Sequence, residues 1–222
     1  MKRLITLIWW LLALLVLRIT IAIVLQYRDY FPPDFSNYFL LGRRPYFWGS
    51  YSVAFYVHLF AGPLTMLLSL VLANDYIRRR LPEWHRRLGK LQIATILLFL
   101  VPSSFRMAMA PMAGVSAGVS FVFLTLAITA TTLQGWRSAV AMKFDVHRRW
   151  MWRTLALLSS AILLRLFGGT ADVMQWEMGW YYDFSSWLSW LIPLTAVETM
   201  FYLEQRRMDS PPNAAKHSPA SN

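Results

Sequence analysis

Two short stretches of this 222-residue chain repeat one unit. EWHRRLGK, residues 83–90, and DVHRRWMW, residues 145–152, each place an acidic residue, a spacer, a histidine and two arginines ahead of an apolar run. Their histidines, His85 and His147, are 62 residues apart. A b-type haem held between helices needs two neutral imidazoles at equal depth on facing helices, with basic groups near its propionates. On that reading His85 and His147 are the candidate iron ligands, and Arg87 and Arg149 are the candidate propionate partners. The same residues also suit plain anchoring. Glu83 and Asp145 complement the positive end of each helix dipole. The arginines match an anionic leaflet, and Trp84, Trp150 and Trp152 match an interfacial belt. A polar site of another kind using the two histidines is the third reading.

A second set of ionisable residues falls inside apolar runs, where charge is costly and therefore a candidate for function. His58 could ligate a metal or haem iron, or hydrogen-bond a quinone carbonyl. Arg18 and Arg165 lie at a similar outer depth and could pair with propionate, phosphate or carboxylate. With Glu198 these three could line a pathway for a small anionic or lipid-like solute. Alternatively, the arginines snorkel to the outer headgroups and His58 is satisfied by a neighbouring backbone or serine. Glu198 could pair with Arg153 or with a protonated His147, or relay protons. Outside the terminal stretch there are only three histidines. The position 62 residues beyond His58 is Ser120, so at most one bis-histidine haem fits.

These residues need an apolar scaffold, and the composition supplies one. The chain is 57% hydrophobic and 15% charged, against about 25% charged in soluble domains. Six runs approach the roughly 20 residues that a spanning helix needs: Leu4–Leu25, Ser50–Ala73, Leu88–Phe105, Val115–Leu133, Trp150–Phe167 and Ser185–Leu203. All six should be helices, because lipid offers no partner for backbone groups. The expected fold class is thus an all-α polytopic bundle. Sixteen of the 22 basic residues fall on one side of these spans: Lys2, Arg3, Arg78–Arg80, Arg86, Arg87, Lys90, Arg137, Lys143, Arg148, Arg149, Arg153, Arg206, Arg207 and Lys216. The other side has Arg28, Arg43, Arg44 and Arg106 beside Asp29, Asp34, Asp172, Glu177 and Asp183. The positive-inside rule then puts both termini in the cytoplasm. The first run, interrupted by Arg18 and followed by no small-residue cleavage site, reads as an uncleaved signal anchor over residues 1–25. Residues 204–222, ending SPPNAAKHSPASN, read as a disordered tail in which His217 carries no role.

Residues 50–170 read as a core of two similar hairpins. Each passes down a span, through a basic loop, and up a span headed by the His-Arg-Arg unit. Arg106 and Arg165 close the two copies. Such a core would be a parallel repeat about an axis along the membrane normal. HRRWMWRTLALLSSAILLRLF (147–167), YVHLFAGPLTML (56–67) and HRRLGKL (85–91) resemble, in order, the motifs of a bacterial multi-pass membrane family called domain of unknown function 2306. Trp152 departs from that pattern, where a smaller aliphatic residue is expected. The resemblance implies a multi-pass helical membrane domain and supplies no activity.

Several functions are excluded or unsupported. The chain has no cysteine, which removes disulfides, thiolate metal sites and thiol nucleophiles. The net charge of +11 falls in clusters between apolar runs, so the partner it implies is the bilayer and not nucleic acid. No phosphate-binding glycine loop, Ser-His-Asp arrangement or catalytic carboxylate pair is present. Gly62, Pro63 and Pro102 suggest kinks. Gly114 and Gly118 suggest close helix packing. Met107, Met109 and Met112 suit packing of an outer loop better than copper. Three functions stay open: a haem b or quinone-linked redox protein using spans 2, 3 and 5, a small-solute transporter acting as a homodimer, and a structural or regulatory subunit.

Overall fold

The computed structural model describes residues 2–36, 39–111, 114–176 and 178–209. Among these residues there is no β-strand, and the chain is helical almost throughout. Helix α1 (Lys2–Leu25) leads through a 3-10 turn into a loop that holds the single turn α2 (Arg44–Phe47). Helix α3 is Ser50–Ala73, α4 is the short Asp75–Arg80, and α5 is Pro82–Ala94. A π-helical stretch, Thr95–Leu100, joins α5 to α6 (Val101–Ala108). Then follow α7 (Gly114–Val140), α8 (Phe144–Leu158), α9 (Ser160–Met174) and α10 (Met178–Asp209).

Four rods are long and apolar enough to cross a membrane: Ser50–Ala73, Pro82–Ala108, Gly114–Val140 and Phe144–Met174. The second and fourth rods are each two helices joined end to end. Large apolar side chains cover the outside, with Val115 and Val173 each 82% exposed and Phe60 63%. That surface suits lipid, which solvates it without cost. Inside, Ala61, Met66, Ile96, Leu100, Leu124, Ile128, Leu157, Leu158, Ile162 and Trp190 form one buried cluster drawing on α3, the π stretch and α7 through α10. Val16 and Ile19 of α1 pack against it.

The helices outrun the apolar segments read from sequence, because a helix can continue into the interface once its side chains are polar. The third span begins at Pro82 and not Leu88, and the fifth at Phe144 and not Trp150. α10 continues to Asp209, six residues past where composition sets the tail. The rest of the tail, with Lys216 and His217, lies outside the described residues, as do Met112 and Glu177.

Prolines and breaks shape the rods. Pro63 sits inside α3 and has no N–H to give the carbonyl of Leu59. The Tyr27 hydroxyl donates to that carbonyl instead. The π stretch ends just before Pro102, and its counterpart in the fourth rod is the break at Ser159. Ser159 stands 62 residues beyond Leu97, in the middle of the π stretch, so the two rods are interrupted at one register.

Short connections make neighbouring rods antiparallel. One end of the bundle therefore gathers α4, the α7–α8 turn and the end of α10, and is basic. The opposite end gathers residues 26–49 and is aromatic. There Tyr30, Leu40, Phe47, Tyr51, Phe55 and Leu59 form a second buried cluster.

Candidate functional site in the basic half of the bundle

α5 and α8 start alike. α5 opens on Pro82, whose missing N–H costs nothing at a helix start, with Glu83 in its first turn. α8 opens on Phe144 with Asp145 in its first turn. His85 and His147 are each the fourth residue of their helix, and each amide donates to the carbonyl just before the helix, Leu81 and Lys143 respectively. The two histidines therefore hold the same position in their helices, and each lies within electrostatic reach of the other.

Their side chains are held differently. His147 Nδ1 lies 2.8 Å from the carbonyl oxygen of Gly135 on α7. A carbonyl only accepts, so Nδ1 carries a proton, and in the neutral imidazole Nε2 is then the nitrogen with the lone pair. At Gly135 itself the absent Cβ leaves room for Met151, whose Sδ would lie 2.6 Å from it. His85 Nδ1 is buried and has no hydrogen-bond partner.

Seven residues beyond each histidine, on the same helix face, lie Gln92 and Thr154. Gln92 Nε2 donates to the Thr65 carbonyl at 3.1 Å and to Ser69 Oγ at 2.9 Å. Thr154 Oγ1 bonds Thr131 Oγ1 at 3.0 Å. Ser69 and Thr131 are also 62 residues apart, as are Gln92 and Thr154. One offset thus relates the two histidines, the two polar contacts above them and the two rod interruptions. Gln92 and Thr132 are 2% and 0% exposed, yet Gln92 Oε1 and Thr132 Oγ1 have no partner.

The other sequence-named residues go elsewhere. Arg87 stacks on the exposed ring of Trp84, and Arg149 lies over Phe201 of α10. Each is two residues from its histidine, about 200° around a helix, so each turns away from the pair. Arg78 of α4 lies within electrostatic reach of His85, and sequence reading did not single it out. It is held at 2.6 Å by Asp75, whose carboxyl that bond keeps below its usual range. Glu198 pairs with Arg153, with Nε–Oε1 at 2.5 Å and NH2–Oε2 at 2.8 Å. The pairing anticipated with Arg153 is the one formed.

No described contact joins Arg18, His58 and Arg165. Arg18 is exposed. His58 Nδ1 lies 3.1 Å from Ser104 Oγ on α6, the serine contact foreseen for it. Arg165 NH1 reaches Gln26 Oε1 at 3.5 Å, beside Tyr27 and Tyr30. His58 is eight residues from the aromatic end of α3, about 12 Å, so it lies in the half opposite the histidine pair. Among the described residues no group of three or more His, Asp or Glu could hold a bare metal ion.

Sequence reading missed Gln92, Thr132, Gly135 and Arg78. The first could have been found by extending the 62-residue comparison beyond the His-Arg-Arg units. Thr132, Gly135 and Arg78 owe their roles to packing that no spacing shows.

An all-helical bundle with four apolar rods and polar groups buried between them is that of a polytopic membrane protein. The family described as Predicted membrane protein (DUF2306) matches residues 55–201, well over half of the chain, and the chain belongs to that family. No curated protein and no solved structure matches it.

Proposed function

We propose that this is a redox protein of the bacterial cytoplasmic membrane that holds one haem b between His85 and His147. In this reading α1 and α10 complete six spans, and the basic end with both termini faces the cytoplasm. The observation that carries the reading is the matched pair of histidines, one with its tautomer fixed by a backbone carbonyl. A ligating histidine is commonly oriented in this way, by a bond from its other ring nitrogen. The 62-residue relation extends above the pair, as a ligand gripped equally from two sides requires. Bound haem supplies one-electron chemistry. The chain's part is to orient the imidazoles and to close the site on its mid-bundle side with the apolar cluster. Arg78, beside His85, suits a propionate better than Arg87 or Arg149, which face Trp84 and Phe201.

His58 and Ser104 support a second element of this reading, a contact for a lipid-phase quinone carbonyl in the opposite half. The solute pathway has less support, since Arg18, Arg165 and Glu198 have separate surroundings.

The test is a visible spectrum of the protein purified in mild detergent from haem-replete cells, oxidised and then dithionite-reduced. A sharp reduced α-band that is lost in both His85→Ala and His147→Ala, and kept in His58→Ala, is the expected result. A colourless protein that gains no band on adding hemin would sink the haem reading.

A further inference from the structure

We infer that the interior of the basic half is a hydrated vestibule, a site for ordered water that reaches from the basic face to mid-bundle and stops at an apolar layer. Three buried polar atoms there have no partner in the protein: His85 Nδ1, Gln92 Oε1 and Thr132 Oγ1. Buried polar atoms left bare are costly, and native proteins satisfy them with water where there is room.

The three atoms share one region. His85 and Gln92 lie on one face of α5, two turns apart. Gln92 is one turn on the basic side of Ile96, and Thr132 is one turn on the basic side of Ile128. Ile96 and Ile128 belong to the same buried cluster. Gln92 and Thr132 therefore face the space directly beneath it.

Thr132 also departs from its own helix. Thr125, Thr129, Thr131 and Ser138 of α7 each donate to the carbonyl four residues back. Thr132 does not, and the carbonyl four residues before it, that of Ile128, already accepts from Thr131 Oγ1 at 3.2 Å. Its hydroxyl is directed into the interior. Gln92 cannot resolve its own shortage by flipping, because the Thr65 carbonyl requires the donor end of the amide.

Waters bonded to these atoms would form a file from the basic face to mid-bundle. Ile96, Leu100, Leu124, Ile128 and Leu157 close the route above it. The inference does not depend on haem.

The chain has no cysteine of its own, so single introduced cysteines report cleanly. Thr132→Cys and Ile128→Cys would each be reacted with a small, water-soluble methanethiosulfonate. A thiol in a dry site resists ionisation and reacts slowly. The Thr132→Cys protein should label at least about tenfold faster than the Ile128→Cys protein, the change that one unit of thiol pKa produces. Thr132→Val, which keeps the shape and removes the water's partner, should lower the Tm in detergent. Equal slow labelling at the two positions, or an unchanged or raised Tm for Thr132→Val, overturns the inference.

Discussion

Arg43 and Gln92 are buried to nearly the same degree, 3% and 2% exposed, and they are served very differently. Arg43, at the aromatic end, donates to the Phe39 carbonyl at 2.8 Å, to the Ala110 carbonyl at 3.0 Å and to the Tyr51 hydroxyl. Its guanidinium also lies 4.6 Å from the centre of the Phe39 ring. Nearby, Tyr56 donates to the Tyr30 carbonyl at 2.9 Å, and Tyr27 to the carbonyl released by Pro63. Gln92, in the basic half, has its donor end filled and its acceptor end empty. The aromatic end spends its polar groups on holding loop to helix, which fixes structure. The basic half leaves polar valence open, which is where a ligand or water is needed.

The largest expected effect is at the filled end. Arg43→Met leaves two carbonyls and a hydroxyl without their donor and should cost about 2–4 kcal/mol, since hydrogen bonds to a charged group contribute about 1.5–3 each. Chemical unfolding in detergent measures it. A cost smaller than that of Gln92→Leu would break the comparison. Next is Gly118→Ala, where the new Cβ would come 2.9 Å from the Ala108 carbonyl oxygen. Backbone must move there, and about 1–3 kcal/mol should be lost.

Tyr27→Phe should cost about 1 kcal/mol, one neutral hydrogen bond, and it sharpens the comparison by a rescue. Pro63→Ala restores the amide that the Leu59 carbonyl lacks, so the double variant should lose less than the two single costs combined. Burial pushes the Tyr27 phenol from the ordinary 10 up to about 12. Above pH 10 the unfolded chain gives up this proton before the folded chain does. The contribution of Tyr27 is therefore complete below about pH 10 and lost as pH rises through about 12. An alkaline pH series should show this loss, and Tyr27→Phe should remove it. The smallest effect is expected from Arg153→Ala, whose partner Glu198 is 47% exposed. A pair so placed contributes less than about 1 kcal/mol, and a double-mutant cycle with Glu198→Gln measures it.

Sequence was a good guide to where helix lies and a poor one to which side chains meet. The span Ser50–Ala73 was legible to the residue, because an apolar run bounded by Gly49 and Asn74 leaves little choice. The other rods were legible at their apolar middles only, since helix does not end where hydropathy does. The matched helix positions of His85 and His147 followed from the unit that heads both helices. The direction of Arg87 and Arg149 did not, although their spacing from the histidines already set them on the far faces. Convergence of Arg18, His58 and Arg165 was an argument from depth alone. Depth says nothing about azimuth, and the three have separate surroundings. Thr132 was invisible, because a threonine in an apolar helix normally satisfies itself.

The central claim is that the histidine pair of the basic half binds haem and the histidine of the opposite half does not. Titrating hemin into detergent-solubilised apoprotein tests it most directly. The account predicts saturation at one hemin per chain, retained in His58→Ala and abolished in both His85→Ala and His147→Ala, each checked for native Tm. Saturation that persists in either of those two variants, or that disappears in His58→Ala, would contradict it.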